Sequence, residues 1–547
     1  MRTRRPEGTA CESPESVAAH SESANDWCGR GDALADRTEF EEAIACYRRA
    51  LQLDPAYSLA LLNLGVALQQ LFRHEEALNC YQKVLALEVD HPRALANQGI
   101  ALLALSRLAE ARTSLAHALA ADPANPEAHF NLGFVLHEMG NHAEALASYE
   151  RALEIRPDDP ATLSNRGIVL QYLRQYDEAL ASYDRALSID PNSVEAQSNR
   201  GSVLQDLGRY EEALAGYARA QAIQPDYPDA HWNESLCRLR LGDFEGGWQK
   251  YEWRWKSGQK GQQRDFAQAL WLGQLPLDGK TIFLHAEQGV GDTLQFCRYA
   301  QNVAALGARV ILEVQPPLRE VLADLKGVHR LVVQGERLPE FDYHCPLLSL
   351  PLAFATQIQT IPATHAYLRS DPARVARWQR VLGARTMPRV GLIWSGRPDQ
   401  MNDHNRSIPL AEFATLLDCG VQLVGLQKDI RAADQDFLDA HSEILSFAED
   451  FAETAALIEL MDVVVSVDTS IAHLAGALGK PVWLLLPRNP EWRWLLGRED
   501  SPWYPSARLF RQKTMGDWGD VIAAVREALD SEDGIRPPDV VKAVQGD

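Results

Sequence analysis

Residues 126–159 read PEAHFNLGFVLHEMGNHAEALASYERALEIRPDD, and residues 160–193 repeat them in outline as PATLSNRGIVLQYLRQYDEALASYDRALSIDPNS. Working outward in both directions, glycine recurs every 34 residues at Gly31, Gly65, Gly99, Gly133, Gly167 and Gly201. Alanine keeps the same step at Ala43, Ala77, Ala111, Ala145, Ala179 and Ala213. Four residues later stand Tyr47, Tyr81, Leu115, Tyr149, Tyr183 and Tyr217, and Pro55, Val89, Pro123, Pro157, Pro191 and Pro225 close the units. Small residues let two antiparallel helices approach, the ring fills the groove beside them, and proline marks the break before the next pair. The reading is six helix pairs, 25–57 through 193–227, and a decaying seventh with Ser235, Gly247 and Tyr251 in phase.

This pattern is that of tetratricopeptide repeats. Two residues before the glycine slot a further register appears: Asn63, Asn97, Asn131, Asn165, Asn199 and Asn233, with Gly29 in the first unit. A solenoid stacks equivalent side chains into a line, here on the first helix of each pair, which forms the concave wall in this family. Carboxamides offer paired donors and acceptors to the backbone of an extended peptide. The line resembles the asparagine ladder of eukaryotic protein O-GlcNAc transferases, so a protein or peptide partner on the concave face is expected. The plainer alternative is a polar slot that is merely solvated.

Composition bounds the partners. With 54 Lys+Arg against 75 Asp+Glu the net charge is −21 over 547 residues, which opposes nucleic acid and anionic membranes as partners. A hydrophobic content of 46% suits a folded chain, and no apolar run nears the ~20 residues of a transmembrane helix. The eight cysteines are scattered without a CxxC pair, which suits a reducing cytoplasm.

Past the KSGQKGQQ stretch at 256–263 the 34-residue phase is lost. Short Val/Ile/Leu runs now alternate with helical stretches: TIFLH at 281–285, VILEV at 310–314, RLVV at 330–333, VGLIW at 390–394, VQLVGL at 421–426, VVVSV at 463–467 and VWLLL at 482–486. Such runs read as buried parallel strands, and the proline-bearing segment 353–389 splits them into two groups. The expected fold class is α followed by α/β: an all-α superhelix, then two doubly wound, Rossmann-like sheets facing a cleft. The expected boundaries are a disordered segment 1–24, a solenoid 25–261, α/β halves 262–387 and 388–530, and a flexible tail 531–547.

Three clusters fall at strand ends. After TIFLH comes His285-Ala-Glu-Gln-Gly-Val-Gly-Asp292, where Gly289 and Gly291 permit a tight turn beside Gln288, and Asp292 either faces the cleft or caps its helix. No Walker A loop or GxGxxG is present. After VGLIW come Ser395 and Gly396, whose amides could meet phosphate, with Arg397 and Arg406 as candidate cations. After VVVSV, Asp468, Thr469 and Ser470 open a helix that Gly479 and Pro481 end, with His473 one turn on from Thr469. A helix start of this kind suits a diphosphate; the alternative is a well-capped core helix with a buried histidine. Trp492, Trp494, Trp503 and Tyr504 could line a sugar site, but an aromatic packing contact is the preferred reading.

In this order the clusters resemble the GT-B glycosyltransferases of the heptosyltransferase-like family, over roughly residues 281–529. That family carries a Gly-Asp turn, here Gly291-Asp292, and an Asp-Thr-Gly-x-x-His opening, here Asp468-Thr469-Ser470-Ile471-Ala472-His473. The resemblance implies Asp292 as general base, the Asp468 helix opening as holder of a nucleotide-sugar donor, and Arg406 where the family places a phosphate-contacting lysine. Ser470 departs from the family glycine and Arg406 from its lysine. The implied activity is inverting, metal-independent sugar transfer from a nucleoside-diphosphate sugar, with no cofactor and with a polypeptide acceptor recruited by the repeats. Two alternatives are a non-catalytic scaffold with a degenerate sugar-nucleotide site and an isomerase on the same two-domain fold.

Overall fold

A computed structural model of the chain describes residues 22–257, 264–398 and 403–531. Of the expected loose segments, 1–21 and 532–547 fall outside those residues, as does most of the 256–263 stretch. The ordered chain nonetheless reaches back into the expected tail. Ser23 accepts from Asp26 N at 3.2 Å and donates its own amide to the Asp26 carboxylate at 2.8 Å, a reciprocal cap that starts a helix at Ala24. Packing divides the chain into two compact units, residues 1–199 and 200–547.

The first unit is a run of antiparallel helix pairs of 12 to 14 residues per helix, from Ala24–Ala35 and Phe40–Leu53 to Pro160–Tyr172 and Tyr176–Ile189. Its two main sequence markers are one contact. A Cβ at Gly31 would stand 2.5 Å from the Tyr47 ring, at Gly133 2.8 Å from Tyr149, and at Gly167 2.6 Å from Tyr183. The ring claims the space of the missing methyl, so glycine and tyrosine recur together. Leu115 does the same work against Gly99, where a Cβ would stand 2.5 Å away. A second proline register, missed in the sequence, starts helices at Pro92, Pro126 and Pro160, where its fixed φ suits the first turn. Asn125 and Asp159 cap two of these helices, accepting from Ala128 N at 3.0 Å and Thr162 N at 2.9 Å.

The second unit begins with the end of the helical array, Tyr210–Ile223, Pro228–Leu241 and the short Phe244–Tyr251, which closes in a 3-10 turn at Glu252–Trp255. These helices share a core with the α/β part. Trp232, Phe244, Trp248 and Tyr251 pack with Trp271, Trp492 and Trp503, all at most 2% exposed. The expected aromatic contact at Trp492, Trp494, Trp503 and Tyr504 is thus buried packing.

Two parallel sheets follow. The first holds β1 (Ala269–Leu270), β2 (Thr281–His285), β3 (Arg309–Val314), β4 (Val328–Val333) and β5 (Tyr343–Pro346) in the order β1-β5-β2-β3-β4. The second holds β6 (Arg389–Ile393), β7 (Gln422–Gly425), β8 (Leu445–Ser446), β9 (Val463–Val467), β10 (Val482–Leu486) and β11 (Ala507–Arg511) in the order β11-β10-β9-β6-β7-β8. In each sheet the winding reverses beside its first long strand, between β2 and β5 and between β6 and β9. Connections leave such a pair in opposite directions, which opens a crevice at the strand C-termini. All three motif clusters lie at these two reversals.

Candidate active site

At the second reversal, β9 ends at Val467 and the helix Ser470–Ala477 begins after Asp468 and Thr469. Thr469 is the N-cap, yet its side chain makes no capping bond; its hydroxyl lies 3.4 Å from that of Ser466. The Asp-Thr-Ser opening therefore does not close its own helix, and the first amides carry their partial positive charge into the crevice. Burial raises the Asp468 carboxyl to about 6, the Glu491 charge adds to the rise, and Arg406 and Arg493 oppose it.

The turn after β2 meets this helix directly. A Cβ on Gly291 would lie 3.1 Å from His473 Cδ2 and 3.4 Å from Ser470 Cα, so a glycine is needed for the two halves to touch. Asp292 lies in the first turn of the helix Val290–Phe296, where its carboxylate accepts from Gly289 N at 2.9 Å. It caps the helix and also faces the cleft, pairing with Arg493 of the loop after β10. Arg493 also donates to Glu491 at 2.6 Å and Gln295 at 2.6 Å, and its guanidinium stacks 4.4 Å over Trp492. Burial works against the Arg493 charge, and Glu491 and Asp292 more than restore it. Gln288 closes the turn, its carbonyl accepting from Gln315 Nε2 at 2.9 Å.

His473 is 6% exposed, its Nδ1 lies 2.9 Å from the Tyr504 hydroxyl, and its ring stacks on Trp494 at 5.5 Å. Burial, reinforced by Arg493, Arg298 and Arg406, holds it neutral. At the end of β6, Gly396 leaves room for two side-chain ends, since a Cβ there would stand 2.3 Å from Arg406 Nη2 and 2.5 Å from Asp403 Oδ1. The amides expected to meet phosphate at this point are engaged otherwise: Ser395 N donates to Gln427 at 3.2 Å and Gly396 N to Ser407 Oγ at 2.9 Å. Buried amides need a partner, and here side chains supply it. Arg406 is well placed, donating to the Asp468 carbonyl at 2.8 Å.

The structure thus gathers Asp292, Gln288, Gly289, Gly291, Ser395, Gly396, Arg406, Asp468, Thr469, Ser470 and His473 around the two reversals. Sequence reading missed Arg493, Glu491 and Gln295, because only the sheet order brings the β10 loop beside β9. It also missed the Arg431–Asp403 ion pair that braces Ser407.

The asparagines of the repeats occupy equivalent, half-buried places on the first helices: Asn63, Asn97, Asn131, Asn165 and Asn199 in the first unit and Asn233 in the second. Asn63 donates to Asp32 at 2.8 Å. Asn131 and Asn165 donate to carbonyls one turn back, Glu127 at 2.8 Å and Ala161 at 3.0 Å. No helix among the described residues is long and apolar enough to cross a membrane.

Comparison with known proteins agrees with this layout. Tetratricopeptide repeat families match residues 31–71, 58–91, 99–140, 126–192, 165–228 and 204–251. Glycosyltransferase family 9 (heptosyltransferase) matches residues 413–505. Protein FlbA of Caulobacter vibrioides is 26% identical over 319 residues, 53% of this chain and 53% of that protein, so the chain spans about half the length of this curated relative. Among solved structures, Pseudomonas aeruginosa PilF is 22% identical with a TM-score of 0.35, over 38% of this chain and 94% of that one. YrrB, a TPR protein with an unusual peptide-binding site, is 26% identical with a TM-score of 0.30, over 34% and 95%. The chain joins tetratricopeptide repeats to a glycosyltransferase domain of the heptosyltransferase type.

Proposed function

We propose that the α/β part transfers a sugar from a nucleoside-diphosphate sugar to a polypeptide presented by the repeats, with inversion and without a metal or cofactor, in a reducing cytoplasm. The observation that carries this reading is the meeting of the Gly291-Asp292 turn with the uncapped start of the Ser470–Ala477 helix. One side offers a carboxylate, the other an electropositive cradle. In the step itself the acceptor hydroxyl gives its proton to Asp292 and its oxygen bonds the anomeric carbon. The bond from that carbon to the phosphate oxygen breaks, and the electron pair leaves with the nucleoside diphosphate. Attack opposite the leaving group inverts the centre. Charge growing on the leaving phosphate would be met by the helix amides and Arg406, with Arg493 at the same cleft. Asp468 faces the same start and suits a sugar or ribose hydroxyl. The repeat asparagines support a peptide acceptor, since their register offers amide contacts at a regular step whatever the peptide's side chains.

The test is Asp292→Asn. The variant keeps the cap on Gly289 N but loses the base. Incubation of the purified full chain with labelled UDP-, GDP-, ADP-, CDP- and dTDP-sugars and a peptide library should show transfer by the wild type. We expect a loss of about two to four orders of magnitude in the variant, the usual worth of a general base. Unchanged transfer removes Asp292 from that role. Diphosphate binding with no transfer by the wild type leaves a sugar-nucleotide-binding scaffold in place of an enzyme.

A further inference from the structure

Arg493 is nine-tenths buried at the mouth of the proposed donor site, and its partners are unusual for a cation at such a place. Its side chain is 9% exposed and is held by two carboxylates, Asp292 at 18% and Glu491 at 34%. Those carboxylates belong to different segments: Glu491 to its own loop, Asp292 to the turn across the cleft. An arginine fork matches a carboxylate and a phosphate by the same geometry, so one can take the place of the other. At the neighbouring strand end Ser395 Oγ is buried, with the residue 2% exposed, and makes no hydrogen bond within the protein. Arg406, the second cation here, is tied to a neutral carbonyl of Asp468 and only loosely, at 3.4 Å, to Asp403.

We infer that Arg493 is a diphosphate ligand whose place is held by Asp292 until a donor binds, so that donor binding pulls the guanidinium away and frees the carboxylate for the acceptor. The inference rests on the transferase reading and adds an order of events to it: donor first, acceptor second. Before the donor arrives, Asp292 is engaged with the cation. Afterwards the phosphate oxygens fill the fork and the carboxylate turns to the incoming hydroxyl. Gln295 and the Trp492 face keep the guanidinium at the cleft throughout.

The exchange predicts opposite signs for the two partners. Removing the Asp292 charge removes a competitor, so Asp292→Asn should bind nucleoside diphosphate more tightly while transferring sugar more slowly. Isothermal calorimetry on the full chain with UDP, GDP, ADP, CDP and dTDP in turn measures this, with thermal melting to confirm folding. For the diphosphate that binds the wild type, we expect Asp292→Asn to be about fivefold tighter, the worth of a partly exposed pair. Arg493→Gln should be about ten- to hundredfold weaker, the worth of a hydrogen bond to a charged group. Arg493→Lys, which keeps the charge and loses the fork, should fall between, and it decides the matter if the glutamine variant does not fold. Weaker or unchanged binding by Asp292→Asn overturns the placeholder. Wild-type affinity in the Arg493 variant that folds overturns the ligand role and leaves the transferase reading standing. Binding of none of the five by the wild type brings down the donor site itself, and this inference with it.

Discussion

Arg254 offers the sharpest energetic test. Its side chain is fully buried in the 3-10 turn that ends the helical array, and it grips Glu287, 4% exposed, through paired bonds of 3.0 and 3.1 Å. Two further donors reach Glu252 at 2.7 Å and Ser349 Oγ at 2.7 Å, and the guanidinium lies 4.3 Å over Trp255. Glu287 sits in the β2 turn ahead of Asp292 and also accepts from Leu348 N at 3.1 Å. Burial raises its carboxyl and Arg254 opposes the rise. Arg254→Met keeps the length and the apolar stem but strands the Glu287 charge. Breaking a buried pair in this way costs about 3–5 kcal/mol. At about 1.4 °C per kcal/mol for a unit this long, scanning calorimetry at pH 7.5 should show a fall of roughly 4–7 °C in the transition of the 200–547 unit. The companion Arg254→Met/Glu287→Gln removes the stranded charge and should recover at least half of the loss. A double variant as unstable as the single one refutes the reasoning, because the cost would then come from lost packing.

Two smaller predictions follow from the same geometry. For Asp468, the folded carboxyl at about 6 lies above its ordinary value near 3.9, so its contribution to stability is full below that ordinary value and is lost as pH rises through about 6. Asp468→Asn should melt close to the wild type at pH 4 and above it at pH 7.5, by up to about 3 kcal/mol; an equal gap at both pH values contradicts the assignment. Phe72 takes a left-handed φ of 57° in an inter-helix turn while 83% exposed, a place that Gly140 and Gly208 fill in later repeats at 78° and 76°. Phe72→Gly should stabilise the first unit by about 1 kcal/mol in urea unfolding, and a loss of stability would show that the ring contributes more than its backbone costs.

Much of this fold was legible because periodicity reports burial. The 34-residue step survives as the Gly–Tyr contacts, and the strand runs TIFLH, VVVSV and VWLLL coincide with β2, β9 and β10 to the residue. The strands missed lack that signature for clear reasons. β5 reads YHCP, with a proline and a histidine in paired positions; β1 and β8 are two residues long; β11 carries arginines at Arg508 and Arg511. The site was legible where a motif follows a strand, as at Asp292 and Asp468. It was illegible at Arg493 and Glu491, since their position follows from sheet order, a long-range property that no local spacing encodes. The end of the array was hidden for a related reason: Gly247 and Tyr251 are in repeat phase, yet the rings of Trp248 and Tyr251 pack with Trp492 of the α/β part.

Both ends of the β2 turn are held by arginines, and the two grips differ in kind. Arg254 holds Glu287 with no exposed surface and every nitrogen engaged, so exchange there would leave a buried charge without a partner. Arg493 holds Asp292 where the carboxylate is 18% exposed to solvent. A dianion can replace a carboxylate at the second grip at small cost and cannot do so at the first. The turn is therefore fixed at Glu287 and releasable at Asp292. That is the arrangement required of a segment whose backbone must stay against the Ser470–Ala477 helix while its last side chain changes partner. The glycines serve the fixed part, since Gly291 leaves room for His473, and the aspartate serves the changing part.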